Sequence, residues 1–336
     1  MKAVVLARYG GPDVLEIRDV DPPVAGPDEI VVDVTGSALN RADVLQRMGL
    51  YADPRRAAGS TAPEIPGLEY AGRVAAVGAR VTDWVIGDAV MGIEAGGCYA
   101  EQVATHARMA MAVPEGVDLA DAAAIPEVFL TAWDALVVQG GLTSGRWALV
   151  HAGASGVGTA AIQIARAVGA RVAVTCSVGK AGACRDLGAD LVLDRSPADW
   201  PAALRDGLAA AGRTDGVDVV LDVIGGEEAD RNLAAVRPKG TIVQVGLMGG
   251  GSATVNLGLL LTKRARWIGT VLRSRPLEEK IAVSRRFADE VLPLFTAGAL
   301  HPVVDRRFPL DAVADAHRHM EADANVGKIV LQVMPP

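Results

Sequence analysis

The sequence predicts an α/β protein in two parts, a β-rich domain and a doubly wound parallel sheet. Three observations carry this reading. Short apolar runs separated by Gly-Pro and Pro-Pro pairs fill the first third of the 336 residues. From about Leu119 the rhythm changes to strand, helix, strand, the signature of a parallel sheet. Early in that rhythm lies His151-Ala-Gly-Ala-Ser-Gly-Val-Gly158, a glycine turn between an apolar run and a helical pattern.

Lys2–Ala7, Leu15–Val20 and Glu29–Val34 alternate or run apolar between turn signals and read as strands. A short helix is predicted over Ala42–Met48, with Asn40 placed to cap or support its start. Tyr70–Val77, Asp88–Met91 and Ala100–Val103 continue the β character, cut by Gly78, Gly87 and Gly96-Gly97. Strands Ala148–His151, Val172–Thr175, Leu191–Leu193, Val217–Val223 and Thr241–Val245 then alternate with helical segments. Pro276–Leu294 and Asp311–Met320 are amphipathic helices, and Gly327–Val333 is a final strand, a mix that suggests a return to the first domain. Gly240–Thr262 carries no charge and is long enough to span a bilayer. Its six glycines, with Gln244, Ser252 and Asn256, make it strand, loop and helix instead.

The glycine turn points to a nucleotide. After it, Val157, Ala160, Ala161, Ile164, Ala165 and Val168 mark one helix face, and Gly169 precedes a second strand. That unit places a pyrophosphate on the amides of a helix N-terminus, where a Cβ would block the approach. The spacing Gly153-x-x-Gly156-x-Gly158 is irregular for a dinucleotide motif, so its flanks carry the reading. Thr159 follows Gly158 directly, so the lysine of an NTPase loop is missing. After the second strand no carboxylate occurs until Asp186, while Ser177 and Lys180 could bind a 2′-phosphate. NADPH is therefore favoured over NADH, although Lys180 could also sit in a solvated turn. Four loops fall at carboxyl ends of the parallel strands: Gly153–Gly158, Cys176–Lys180, Val223–Gly226 and Gly246–Gly251. The glycines of the last two suit either close backbone approach to a flat ligand or loop flexibility.

A formal charge of −7 argues against a general nucleic-acid or membrane-surface partner, both of which need a basic face. Cys98, Cys176 and Cys184 are odd in number and form no C-x-x-C, so neither a disulfide framework nor a structural zinc site is indicated. Met1–Arg8 is too short and too soon charged for a signal peptide, and a reducing cytoplasm is expected. His151 reads as a satisfied structural histidine and Cys98 as a packed residue. His317 and His319, two apart on a helix, are poor metal partners.

Several segments together carry a resemblance: Ser37–Asp43, Gly67-Leu-Glu-Tyr-Ala-Gly72, Ile125–Trp133, His151–Gly158, Gly246–Gly251, Leu272–Arg275 and Asn325–Val330. With them the chain resembles the zinc-independent quinone oxidoreductase branch of the medium-chain dehydrogenase/reductase superfamily, in particular its p53-inducible type. The resemblance implies a GroES-like catalytic domain from residues 1–120 plus 275–336, and a Rossmann NADP-binding domain over 121–274. It also implies an active site in the cleft between domains, and a homodimer joined edge to edge through the cofactor-domain sheets. Zinc-dependent relatives place a cysteine where this chain has Asn40 and a histidine where it has Leu68. Neither replacement can ligate zinc as thiolate and imidazole do.

Carried over by the same resemblance, Asn40 and Tyr51 lie near the nicotinamide and substrate, and Thr131 helps seat the cofactor. Ser155, Gly156 and Val157 meet the pyrophosphate, and Ser177 and Lys180 the 2′-phosphate. Gly246, Leu247, Met248, Leu272, Arg273 and Ser274 flank the nicotinamide half, and Lys328 closes over it. Where relatives often supply a tyrosine to the 2′-phosphate, this chain reads Leu193-Asp194-Arg195. Asp194 is unfavourable there unless it turns away, and Arg195 could compensate. The expected activity is NADPH-dependent reduction of quinones or similar activated carbonyls by metal-free hydride transfer, with Tyr51 as candidate proton donor or orienting group. The alternatives are an enoyl or alkenal reductase on the same scaffold, and a non-catalytic NADPH-binding protein.

Overall fold

The computed structural model describes residues 1–51, 53–54, 63–196 and 200–334. The chain begins with β1 (Lys2–Leu6), β2 (Leu15–Asp19), β3 (Glu29–Ala38), α1 (Arg41–Arg47), β4 (Glu69–Val77), β5 (Ala89–Ile93), β6 (Gln102–His106) and β7 (Met111–Ala112). A 3-10 turn over Asp121–Ala124 leads into α2 (Pro126–Trp133). The alternating region follows: β8 (Trp147–Val150), α3 (Gly156–Ala167), β9 (Arg171–Cys176), α4 (Ala181–Asp186), β10 (Leu191–Asp194), α5 (Trp200–Ala210), β11 (Val217–Asp222), α6 (Glu228–Ala235), β12 (Val236–Gln244), α7 (Leu257–Lys263) and β13 (Arg266–Gly269). The chain closes with α8 (Leu277–Glu290), α9 (Leu292–Thr296), β14 (Val304–Pro309), α10 (Val313–Glu321) and β15 (Lys328–Gln332).

Contacts divide the chain into two units, Met1–Leu130 with Leu272–Pro336, and Thr131–Val271. In unit 1 the sheet runs β14-β15-β3-β4-β5-β7, with β6 also on β3. β3 is long enough for both neighbours on one edge: its first half pairs with β6 and its last residues with β15. Val4, Leu39, Tyr99, Ile329 and Leu331 share one apolar cluster, so the two ends of the chain bury each other's surface. Segment 121–130 goes with unit 1 because the 3-10 turn packs on β3, β4 and β15.

Unit 2 is a six-stranded, all-parallel sheet in the order β10-β9-β8-β11-β12-β13. β8 and β11 are buried along their whole length, as parallel strands covered on both faces must be. Strand order reverses between β8 and β11, and ligands of such sheets sit outside the carboxyl ends at that point. Gly240–Thr262 ends β12, forms a loop and continues through most of α7. No helix among the described residues is long and apolar enough to cross a membrane.

Two departures from the sequence reading have physical causes. The single helix expected over Pro276–Leu294 is two, because Pro293 lacks the N–H that would continue α8, and the break falls at Val291. The edge strands β13 and β14 were not anticipated. Both carry charged residues and little buried surface, as exposed edges do, so they show no apolar alternation.

Candidate active site

The turn after β8 is tied down by a buried polar network. His151 hydrogen-bonds Thr175 Oγ1 through Nδ1 (2.9 Å) and Asn232 Oδ1 through Nε2 (2.7 Å). Asn232 Nδ2 donates to Asp222 Oδ2 (3.0 Å), whose other oxygen accepts from the Ile224 and Gly225 amides. The histidine thus fastens the ends of β8, β9 and β11 together, a structural role. Beside it Ala152 holds a left-handed φ of 54°, unusual without glycine.

Ser155 caps α3, its hydroxyl oxygen accepting from the Gly158 amide (3.0 Å). Among the described residues the Gly156 and Val157 amides have no acceptor within the chain. They present two donors and the positive end of a 12-residue helix, which fits a pyrophosphate. Gly158 closes the turn on itself: a Cβ there would stand 2.3 Å from the Ala152 carbonyl oxygen.

At the end of β9, Ser177 precedes a 3-10 turn that contains Lys180. Asp194 is the cross-strand partner of Cys176, and its Oδ1 accepts from the Ser196 amide (2.9 Å). One carboxylate oxygen is therefore turned onto its own loop. The glycine-rich loops after β11 and β12 dock on each other: Gly249 donates to the Ile224 carbonyl (2.7 Å) and Gly226 to Gly250 (3.1 Å). A Cβ on Gly226 would meet the Gly249 carbonyl oxygen at 2.3 Å. Mutual packing thus explains part of their glycine content, which neither ligand approach nor flexibility had covered. Leu247 and Met248, in the second loop after Gly246, expose about half their surface. Thr131 is nearly buried in α2 at the start of unit 2.

Unit 1 holds a second polar centre. Asn40 sits at the N-cap of α1, and its N–H donates to Asp43 Oδ2 (2.8 Å). Its side chain is turned elsewhere: Nδ2 donates to Glu69 Oε1 (2.8 Å) and the Ala38 carbonyl (3.2 Å), while Oδ1 accepts from Lys328 Nζ (2.7 Å). An ammonium on one side and a carboxylate on the other fix the amide's orientation. Lys328 also pairs with Glu69 Oε1 (2.8 Å) and donates to the Leu39 carbonyl (2.5 Å), which employs all three of its protons. Glu69 Oε2 accepts from the Glu127 amide (2.8 Å).

Tyr51 stacks on the Arg273 guanidinium, 4.8 Å from ring centre to carbon. Arg273 is buried, bonded to the Ala95 carbonyl (2.8 Å), Gln46 Oε1 (2.7 Å) and the Tyr51 carbonyl (3.3 Å). Asn40, Tyr51, Arg273 and Lys328 therefore all belong to unit 1, as do Leu272 and Ser274. The donor set does not suit a zinc ion. Leu68 offers no ligand atom, and the Asn40 carbonyl already accepts from an ammonium. Among the described residues no group of three or more His, Cys, Asp or Glu could hold a metal.

Two residues not singled out in the sequence reading stand at the middle of this centre. Glu69 is fully buried and gathers Asn40, Lys328 and the start of α2. Glu127, next to it, has its pKa raised to about 8 by burial first and by the charge of Glu69 second. The available signal was an acid in the small, apolar surroundings of Gly67–Gly72 and of Ile125–Trp133, where an unpartnered charge would be costly.

Residues 187–331 match the zinc-binding dehydrogenase family, and residues 26–115 the alcohol dehydrogenase GroES-like domain. A quinone oxidoreductase of Pseudomonas aeruginosa is 33% identical over 98% of this chain and 99% of its own. The polyketide synthase GfsB of Streptomyces halstedii is 36% identical over 91% of this chain, which spans only 5% of that protein's length. Among solved structures, the CurK enoyl reductase superposes with a TM-score of 0.87 at 27% identity, over 99% of both chains.

Proposed function

Since the chain belongs to the quinone oxidoreductase branch of the medium-chain dehydrogenase/reductase superfamily, we propose that it reduces quinones, or similarly activated conjugated carbonyls, by metal-free hydride transfer from NADPH. The observation that carries this reading is the state of Asn40. Its amide is held by Lys328 and Glu69 at the position where the resemblance places a zinc ligand, which supports a reaction that needs no metal-activated oxygen. A quinone needs none.

When bound, the reduced nicotinamide supplies the hydride. The Gly156 and Val157 amides and the Ser155 hydroxyl hold the pyrophosphate, and Ser177 with Lys180 the 2′-phosphate. In unit 2, Thr131, Gly246, Leu247 and Met248 would serve the nicotinamide half; in unit 1, Leu272 and Ser274 carry the same assignment from the resemblance alone. Arg273 and Lys328 work at one remove: the first backs Tyr51, and the second sets the Asn40 amide. The Tyr51 phenol, half-buried, gives a hydrogen bond to the acceptor oxygen. A homodimer through the β13 edge belongs to the same reading, supported by the exposed Leu257 and Leu261 of α7 and Val271 just after β13. So does a cytoplasmic location.

A double-bond reductase is the second reading, favoured by the likeness to the CurK enoyl reductase. Steady-state NADPH oxidation with an ortho-quinone and with an enoyl thioester separates the two, and faster turnover of the thioester would overturn the choice. Tight NADPH binding without turnover of either would leave a binding protein. Lys180→Ala should raise the KM for NADPH about 10- to 100-fold, the worth of one charge-assisted contact, and leave that for NADH nearly unchanged. Equal effects on both would remove Lys180 from the 2′-phosphate site.

A further inference from the structure

We propose that Glu127 is the proton donor of the reaction, a carboxylic acid kept neutral next to the Glu69–Asn40–Lys328 centre that protonates the acceptor oxygen as the hydride arrives. This rests on the reductase reading above and adds the source of the proton.

The charges around the site fix which acid is neutral. Glu69 from β4, Asp43 from α1 and Glu127 from α2 share their surroundings with two cations, Lys328 from β15 and Arg273. Three carboxyls against two cations leave one proton in excess in a low-dielectric setting. Both oxygens of Glu69 are engaged, Oε1 by the Lys328 ammonium and the Asn40 amide and Oε2 by the Glu127 N–H. Asp43 is raised by burial to about 6, but it accepts from the Asn40 amide (2.8 Å) and the Tyr99 hydroxyl (2.9 Å), and both bonds favour its charged form. Glu127 accepts none: among the described residues its carboxyl has no hydrogen-bond or ion-pair partner. The proton therefore resides there, in agreement with a pKa near 8.

Position makes this acid usable. Its own backbone N–H is pinned to Glu69, and it keeps some accessible surface. Its neighbours Glu69 and Lys328 are those that hold the Asn40 amide. Hydride delivery to a conjugated carbonyl leaves a negative oxygen, the hydroquinone monoanion or enolate. The Glu127 O–H bond breaks, its proton forms the new O–H on that oxygen, and its electron pair stays on the carboxylate. A solvent proton then restores the acid. The Tyr51 phenol, itself raised above its ordinary range chiefly by burial, is left to orient the acceptor.

The test compares wild type, Glu127→Gln and Tyr51→Phe in NADPH oxidation with ortho-naphthoquinone across the pH range. Wild-type kcat should hold on the acid side and fall above about pH 8, where Glu127 ionises. Glu127→Gln should lower the plateau about 100-fold and lose that bend, while Tyr51→Phe keeps it. A Glu127→Gln enzyme that keeps both rate and bend overturns the proposal. A second readout needs no turnover: infrared titration of the whole protein should show a protonated-carboxyl band lost near pH 8 and absent from Glu127→Gln. If wild type ignores the quinone, the quinone reading fails while this band still decides on Glu127. Its absence from wild type overturns the proposal whatever acceptor is reduced.

Discussion

Lys328→Met should cost about 3–5 kcal/mol of stability in urea unfolding, the loss expected when one partner of a buried ion pair is removed. The ammonium is buried against three acceptors, Glu69, the Asn40 amide oxygen and the Leu39 carbonyl, and Glu69 has no exposed surface. Methionine fills the space of the alkyl stem but leaves a carboxylate facing an uncompensated interior. Removing the charge at both ends, as Lys328→Met with Glu69→Gln, should recover at least half of the loss. A single-variant loss below about 1 kcal/mol, the range of exposed pairs, would mean that water reaches the site. The same variant frees the Asn40 amide to turn, so kcat should fall along with stability.

Gly158→Val should abolish dinucleotide binding, by about 100-fold or more in Kd, for NADPH and NADH alike. A Cβ at this position would stand 2.3 Å from the Ala152 carbonyl oxygen and 2.5 Å from the Gly153 carbonyl carbon. Those are backbone atoms with nowhere to swing, so the whole turn that carries Gly156 and Val157 has to move. Calorimetric titration checks it, and retained affinity for either dinucleotide would undo the assignment of the turn. The contrast with Lys180→Ala is diagnostic, because the pyrophosphate is common to both cofactors and the 2′-phosphate is not.

Residues whose environment imposes a period were legible in the sequence. β8, β9 and β11 are buried on both faces and read as apolar runs; α3 shows its apolar face at three- and four-residue steps. β13 and β14 lie at sheet edges and have no such face, and the break before Pro293 was hidden inside an amphipathic pattern. The site divides the same way. The glycine turn announced itself through its flanks, whereas Asn40, Tyr51 and Lys328 were reached by resemblance alone. Glu69 and Glu127 each stand as one acid in an apolar stretch. Their meaning depends on partners drawn together only by the fold, such as Glu69 with Lys328 at the far end of the chain.

That separation bears on how the protein is made. Glu69 enters the growing polypeptide about 260 residues before Lys328, a delay of roughly ten seconds to a minute at ordinary rates of synthesis. During that time the first sheet lacks β15 along the last residues of β3, and the carboxylate lacks its ion-pair partner. The parallel sheet of unit 2 meanwhile has every strand it needs once β13 has emerged. The nascent chain therefore holds every strand of unit 2 before it holds β15 and the lysine that pairs with Glu69.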